Sequence, residues 1–293
     1  MVNQTAQSSM NWSRINRGLI YAVLLTAALF YLLPLVVMVL TSFKTMDDIR
    51  SGNLISWPTE FVFDAWSKAW STACTGVRCE GVEGYFWNSV QIVVPAVLIS
   101  TFLGALNGYV FTKWKFRGSE LLFGLLLFGC FIPFQVVLLP MAQTLGLLGL
   151  ANTTAGLVFV HIVYGMAFTT LFFRNFYINI PGELVKAAQL DGAGFFTIFW
   201  RILLPISGPI IVVTIIWQTT QIWNDFLFGV VYGSGDTQPI TVALNNLVNT
   251  STGVKEYNVH MAAAIIAGLP TLLVYVLAGK YFVRGLTAGS VKG

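Results

Sequence analysis

Six stretches of the chain are almost continuously apolar: residues 18–42, 88–111, 121–143, 154–173, 208–231 and 260–281. About 20 apolar residues in a helix cross roughly 30 Å of hydrocarbon, so each stretch predicts a membrane-spanning helix. Pro34, Pro133, Pro140 and Pro270 interrupt them, which a span tolerates where neighbouring helices satisfy the freed carbonyls. One long polar interruption, residues 180–209, reads IPGELVKAAQLDGAGFFTIFWRILLPISGP. Glu183, Lys186, Asp191 and Arg201 stand too close together there for any lipid-facing helix, so the segment lies outside the hydrocarbon.

This interruption has its own pattern. Pro181 suits a first helical turn, and Glu183 then meets the positive end of the macrodipole. A short helix to about Leu190 follows, with Ala187 and Ala188 leaving part of its surface open to close approach. Asp191, Gly192, Ala193 and Gly194 break it, because Asp favours turns and Gly accepts left-handed dihedrals. A second helix then carries Phe195, Phe199 and Ile202 as one apolar stripe, until Pro205 and Pro209 mark the entry to the next span. The pattern predicts a helix–turn–helix against a membrane.

Composition agrees with the spans. The 293 residues are 56% hydrophobic and 10% charged, with mean hydropathy +0.75, more apolar surface than a soluble core hides. The segments predict an all-α membrane protein with a leader at 1–17, a six-helix domain over 18–281 and a tail at 282–293. The leader reads as irregular or surface-lying. The first apolar run is too long for a signal peptide, and no small-residue cleavage site follows, so it is read as a retained span.

Charge orients the spans. Arg14, Arg17, Lys113, Lys115, Arg117, Arg174, Lys186, Arg201, Lys280, Arg284 and Lys292 fall on one side; Lys44, Arg50, Lys68, Arg78 and Lys255 are diluted over two long loops on the other, beside acids. By the positive-inside rule both termini and the island are cytoplasmic. This bias accounts for the net charge of +4, which therefore does not indicate nucleic-acid binding.

The first outside loop carries Trp57, Phe61, Phe63, Trp66 and Trp70. Phe63, Trp66 and Trp70 are spaced to form one face of an interfacial helix on membrane lipid, with Lys68 free to snorkel. Cys74 and Cys79 stand in the same loop, where an oxidising compartment allows a disulfide and two free thiols are the alternative. Cys130, within a span, reads as a small apolar filler. The link at 144–153 is short and uncharged, whereas the loop at 232–259 is long and rich in Gly, Thr and Asn, a connector or a docking surface.

Ionisable groups within spans usually mark ion pathways, and here they are nearly absent. His161 reads as a hydrogen-bonded packing residue. Asp225, with Gln218, Gln221, Trp223 and Asn224, makes the fifth span the most polar. These five residues line a translocation path, or they join helices by hydrogen bonds while Asp225 caps a kink. No metal-ligand cluster or catalytic constellation is visible, and no nucleotide-binding GxxxxGK[ST] loop occurs, since Gly279 and Lys280 are followed by Tyr281.

The island resembles the "EAA" loop of permease subunits of binding-protein-dependent ABC importers: Lys186, Ala187 and Ala188, then Gly192, then Ile202, Leu203, Leu204 and Pro205. The wording of the whole loop is similar to the carbohydrate permeases of the maltose-transport type. Further matches are spread along the chain: TSFK at residues 41–44, NS at 88–89, Ile132 and Pro133 through Pro140, WNDF at 223–226, and RGLTAGSVKG at 284–293. The resemblance implies a type I ABC importer permease fold with six transmembrane helices, both termini cytoplasmic, and a cytoplasmic coupling helix in the loop at 178–207. It implies coupling contacts at Glu183, Lys186, Ala187, Ala188, Asp191, Gly192, Ala193 and Pro205, and further ATPase contact at Gly289 and Lys292.

It also implies partners: a second permease forming a heterodimer, an ATPase dimer that uses ATP and Mg while this chain binds no cofactor, and an extracytoplasmic sugar-binding protein. The location implied is the cytoplasmic membrane of a prokaryote. The chain departs from the motif at its first position, Lys186 in place of Glu. Glu183, one turn earlier, or an acid in the partner's cleft would compensate. The insertion with Cys74 and Cys79 resembles permeases for glucose and mannose. An ion-coupled secondary transporter would need matched halves and coupling acids, but the halves are not visibly repeated and Asp225 stands alone. A membrane-embedded enzyme would need more than His161 and His260.

Overall fold

The computed structural model describes the backbone of residues 2–53, 55–249 and 255–288, and the side chains of residues 16–53, 55–249 and 255–279. Among the described residues every regular element is helical, and two compact units are distinguished: Met1–Thr72 with Thr252–Ile265, and Ala73–Ser251 with Ile266–Gly293.

The first unit contains α1 (Val2–Ser42), α2 (Met46–Ser51), α3 (Asp64–Ser71) and the first turns of α14 (Tyr257–Ala288). The leader, read from its polarity as irregular or surface-lying, is helix continuous with the first span. Thr45 caps α2 by accepting from the Asp48 amide, as a β-hydroxyl at an N-cap does. Phe63 and Trp66 both pack on Phe43, with centroids 5.3 and 5.5 Å away. Lys68 does not snorkel free: it pairs with Glu256 at 2.6 Å.

The second unit is built on α4 (Glu83–Lys113) and α7 (Thr154–Ile178). Their contact depends on Gly104 and Gly108, a small-xxx-small pair that lets backbones approach. A Cβ on Gly104 would lie 2.5 Å from Thr169 Oγ1, and one on Gly108 would lie 2.7 Å from Phe173 Cβ and 2.8 Å from the Arg174 nitrogen. Side-chain hydrogen bonds then join the helices, from Asn107 Nδ2 to Thr170 Oγ1 at 3.1 Å and from Thr169 Oγ1 to Ser100 O at 2.9 Å.

Among the described residues four helices are long and apolar enough to cross a membrane: Asn16–Ser42, Glu83–Lys113, Thr154–Ile178 and Tyr257–Gly279. The span expected at 121–143 is instead two helices, α5 (Ser119–Gly129) and α6 (Phe134–Leu147), inclined at 104°. Pro133 lacks an amide and disfavours helix at Ile132, so the helix ends there and restarts. The span expected at 208–231 is also divided. Helix α11 (Gly208–Trp223) stops at Asn224, and α12 (Leu227–Tyr232) follows. Counting α5 with α6 as one span, and α11 with the helix before it over Phe195–Ile206, bent by 78°, as another, raises the number to six. The loop at 232–259 is not a bare connector, since it forms α13 (Ile240–Asn249), with Ile240, Val242, Ala243 and Leu247 buried.

Candidate functional site

Two places in the second unit collect the residues on which function can rest: the polar island and a cavity beside α7 and α11.

The island folds as α8 (Gly182–Leu190), a turn, and a second helix over Phe195–Ile206 made of α9 (Phe195–Ile198), a π-helical turn and α10 (Leu204–Ile206). Gly192 makes the turn with φ +81°, a left-handed conformation open to glycine without penalty. The amides of Asp191, Gly192 and Ala193 donate to Ala187 O, Gln189 O and Ala188 O, so the carbonyls at the end of α8 are satisfied. Of α8 only Val185 is buried, whereas Glu183, Leu184, Lys186, Ala187, Leu190 and Asp191 face outward, Leu190 at 90% exposure.

Inward, Val185, Ile198, Phe199 and Leu203 form one buried cluster with Ala105 and Tyr109 of α4 and Phe173 and Tyr177 of α7. Ala188, Ala193 and Phe195 pack against it. Phe195 and Phe199 belong to the expected stripe, but Ile202 does not: Leu203 takes the core position. A π-helical turn over Phe199–Leu203 adds one residue to the turn and rotates the sequence by one place. Pro205 is exposed. The ends are tied down too, with Lys113 Nζ donating to Ile180 O and Ser207 Oγ to Tyr177 Oη at 2.9 Å. Gly289 and Lys292 lie outside the described residues.

The cavity has a volume of about 490 Å³, within the range of small-ligand sites. Aromatic rings dominate its wall: Phe134, Tyr164, Phe168, Trp217 and Phe228. Tyr164 and Phe228 stack with centroids 4.8 Å apart, and Phe134 meets both edge-on. The polar lining is Gln221, Asn224 and Asp225 with His161 and Gln218. Among the described residues the buried Tyr164 hydroxyl has no hydrogen-bond partner, although buried polar groups are nearly always paired.

The residues proposed for a path divide. Gln221 and Asn224 are exposed and line the cavity. Asp225 lines it and also caps α12, accepting from the Phe228 and Gly229 amides at 3.2 and 3.1 Å, with His161 Nε2 3.7 Å away. Gln218 is 1% exposed and donates from Nε2 to Ser100 Oγ at 2.7 Å, so its amide holds helices together at the cavity floor. Trp223 is buried, its indole N–H donating to Ala267 O at 2.8 Å, and it is not a wall residue. Sequence reasoning missed Tyr164, Phe168 and Trp217. Their signal is the helical spacing of His161, Tyr164 and Phe168 on one face of α7.

On the loop side, Cys74 and Cys79 are disulfide-bonded. Arg78, between them, is hydrogen-bonded and ion-paired to Asp236, which raises the guanidinium pKa above its ordinary value. Asn88 Nδ2 donates to Gln238 O at 3.1 Å and Ser89 Oγ accepts from the Ile240 amide at 2.9 Å, so the NS pair fixes the segment leading into α13.

Residues 92–288 match the family described as "Binding-protein-dependent transport system inner membrane component". A probable ABC transporter permease protein of Pyrococcus horikoshii is 39% identical over 279 residues, covering 94% of this chain and 98% of that protein. The glucose import system permease protein of Saccharolobus solfataricus is 29% identical over 288 residues, covering 95% and 97%. In fold the chain is similar to a chain of a bacterial ABC transporter involved in the import of the acidic polysaccharide alginate. The TM-score is 0.78 at 21% identity, covering 90% of this chain and 96% of that one.

Proposed function

The chain belongs to the family of binding-protein-dependent transport system inner membrane components, and from that premise we propose that it is the permease subunit through which a sugar enters the cell, driven by ATP hydrolysis in partner subunits. A multi-pass transport component of the inner membrane, it is not itself an enzyme.

The observation that carries the sugar assignment is an aromatic cavity that also bears the polar side chains of Gln221, Asn224 and Asp225. A sugar ring presents C–H faces that lie on aromatic rings and hydroxyls that need a few placed polar partners. About 490 Å³ accommodates a hexose or a small oligosaccharide. The glucose permease relative supports a hexose, and glucose or mannose is the substrate proposed here.

The island is the proposed coupling element, on the cytoplasmic side together with both termini, as the distribution of Lys and Arg supports. Helix α8 sits in a groove of an ATPase subunit, contacting it through Glu183, Lys186, Ala187, Ala188 and Asp191. Closure of the ATPases on nucleotide moves it as a lever, and the cluster from Val185 to Leu203 transmits the movement to α4 and α7. Lys186 in the place of the usual carboxylate calls for an acid in the partner's groove. A second permease completes the passage, and an extracytoplasmic sugar-binding protein delivers substrate. Gly289 and Lys292 add contact to the ATPases.

Co-purification tests this reading. The chain should be recovered with a second permease and an ATPase pair, and loaded sugar-binding protein should stimulate ATP hydrolysis by the assembly. Recovery without either partner would remove the basis of the proposal.

A further inference from the structure

Within the unit formed by Met1–Thr72 and Thr252–Ile265, Lys44 is buried to 2% exposure. Its ammonium donates to Asn53 O at 3.3 Å and to Ser56 Oγ at 3.0 Å, both neutral acceptors. An ammonium carries three donors, and a buried cation without counter-charge has a large desolvation penalty. Among the described residues no carboxylate lies within 4 Å of it. Nearby acids are engaged elsewhere: Asp47 with Arg50, Asp48 with Thr59, and Glu256 with Lys68.

Lys44 lines a cavity of about 720 Å³, whose other walls include Val37, Thr41, Ile49, Asn53 and Tyr257. The backbone at this position is fixed as well, because the Lys44 carbonyl accepts from Asn258 Nδ2 at 3.0 Å. The cavity is far larger than a bare phosphate needs, and much of its wall is aliphatic. It opens beside the end of α1, whose Leu29, Leu33 and Val36 are exposed along a span that is only 6% buried, the surface that hydrocarbon covers in a membrane. A ligand matching both halves has an anionic head and an acyl chain.

We propose that this cavity binds an anionic membrane phospholipid, with Lys44 as the counter-charge of its phosphate and the aliphatic wall covering the upper acyl chain. The charge on Lys44 then serves a bound lipid and not a protein carboxylate, which accounts for its burial without an acid.

The test is retention of phosphatidylglycerol by the full-length chain. Protein purified in mild detergent is exchanged through phosphatidylglycerol and phosphatidylcholine micelles, and bound lipid is counted by mass spectrometry. Wild type and Lys44→Arg should hold phosphatidylglycerol in stoichiometric amount and in preference to phosphatidylcholine. Lys44→Met should hold it at least about tenfold more weakly, as a charge-assisted hydrogen bond is lost. Met261→Trp, which fills the cavity and leaves Lys44 intact, should also lose it, and decides the matter if Lys44→Met does not fold. Equal retention by wild type and Lys44→Met would overturn the proposal. Displacement by inorganic phosphate or glycerol phosphate would show a free-anion site and overturn the lipid assignment, as would loss of the lipid when a second permease assembles on the chain.

Discussion

The ring of Phe195 lies on the ring of Tyr109 with centroids 4.7 Å apart and planes inclined at 27°. Phe195 starts the second helix of the island and Tyr109 is fully buried in α4, so the stack ties the island to α4, and in the proposed coupling a movement of the island passes through it. Tyr109→Ala removes the stack and leaves a void costing about 3–5 kcal/mol. Tyr109→Phe keeps the rings, because the hydroxyl makes only a 3.5 Å contact with Phe195 O. The alanine variant should lose sugar uptake while the phenylalanine variant retains it, as measured in vesicles carrying equal amounts of each.

Gly108 should tolerate no side chain, since a Cβ would lie 2.7 Å from Phe173 Cβ and 2.8 Å from the Arg174 nitrogen. Gly124 has nothing within 4 Å of such an atom. Gly108→Leu should therefore abolish accumulation of folded protein in the membrane, and Gly124→Ala should leave it unchanged. Immunoblots of membrane fractions distinguish the two.

Gly192 has a different requirement. Space around it is open, but its φ of +81° excludes the fixed φ of about −65° of proline. Gly192→Pro should leave the protein in the membrane and abolish uptake, because it would turn α8 away from the ATPase proposed as its partner. Gly192→Asn, which accepts the left-handed region at modest cost, should retain most of the activity. Normal uptake by the proline variant would detach the turn from coupling.

Much of this architecture is legible in the residues. The spans follow from hydropathy, and the island follows from Glu183, Lys186, Asp191 and Arg201 standing where lipid forbids them. Gly104 and Gly108 could have been recognised as a close helix contact from their spacing alone. The 104° bend after Gly129 was not legible, because Pro133 permits a mild kink as well as a full break. Ile202 was misplaced because a π-turn changes the period by one residue and no sequence signal announces it. Hydropathy also has no direction: Gln218 and Gln221 look alike along the chain, yet the first is bonded to Ser100 and the second faces the cavity.

That division gives opposite consequences for two substitutions. Gln221→Leu removes an exposed amide on the cavity wall, so thermal stability should not fall. The KM for sugar should rise about three- to tenfold if a sugar hydroxyl is its partner, the ratio for one neutral hydrogen bond. Gln218→Leu leaves Ser100 Oγ without its donor and should lower stability by about 1–3 kcal/mol without changing which sugar is preferred. Thermal denaturation and uptake kinetics measured on both variants test the pair together.

In the proposed function this chain passes sugar only under the control of ATP hydrolysed elsewhere. The most direct test is uptake of labelled hexose into proteoliposomes holding this chain with or without the second permease and the ATPases, with binding protein outside and ATP or an ion gradient supplied. Uptake should require both partners, the binding protein and ATP, and should be indifferent to the ion gradient. Accumulation driven by an ion gradient in liposomes containing this chain alone would contradict the account.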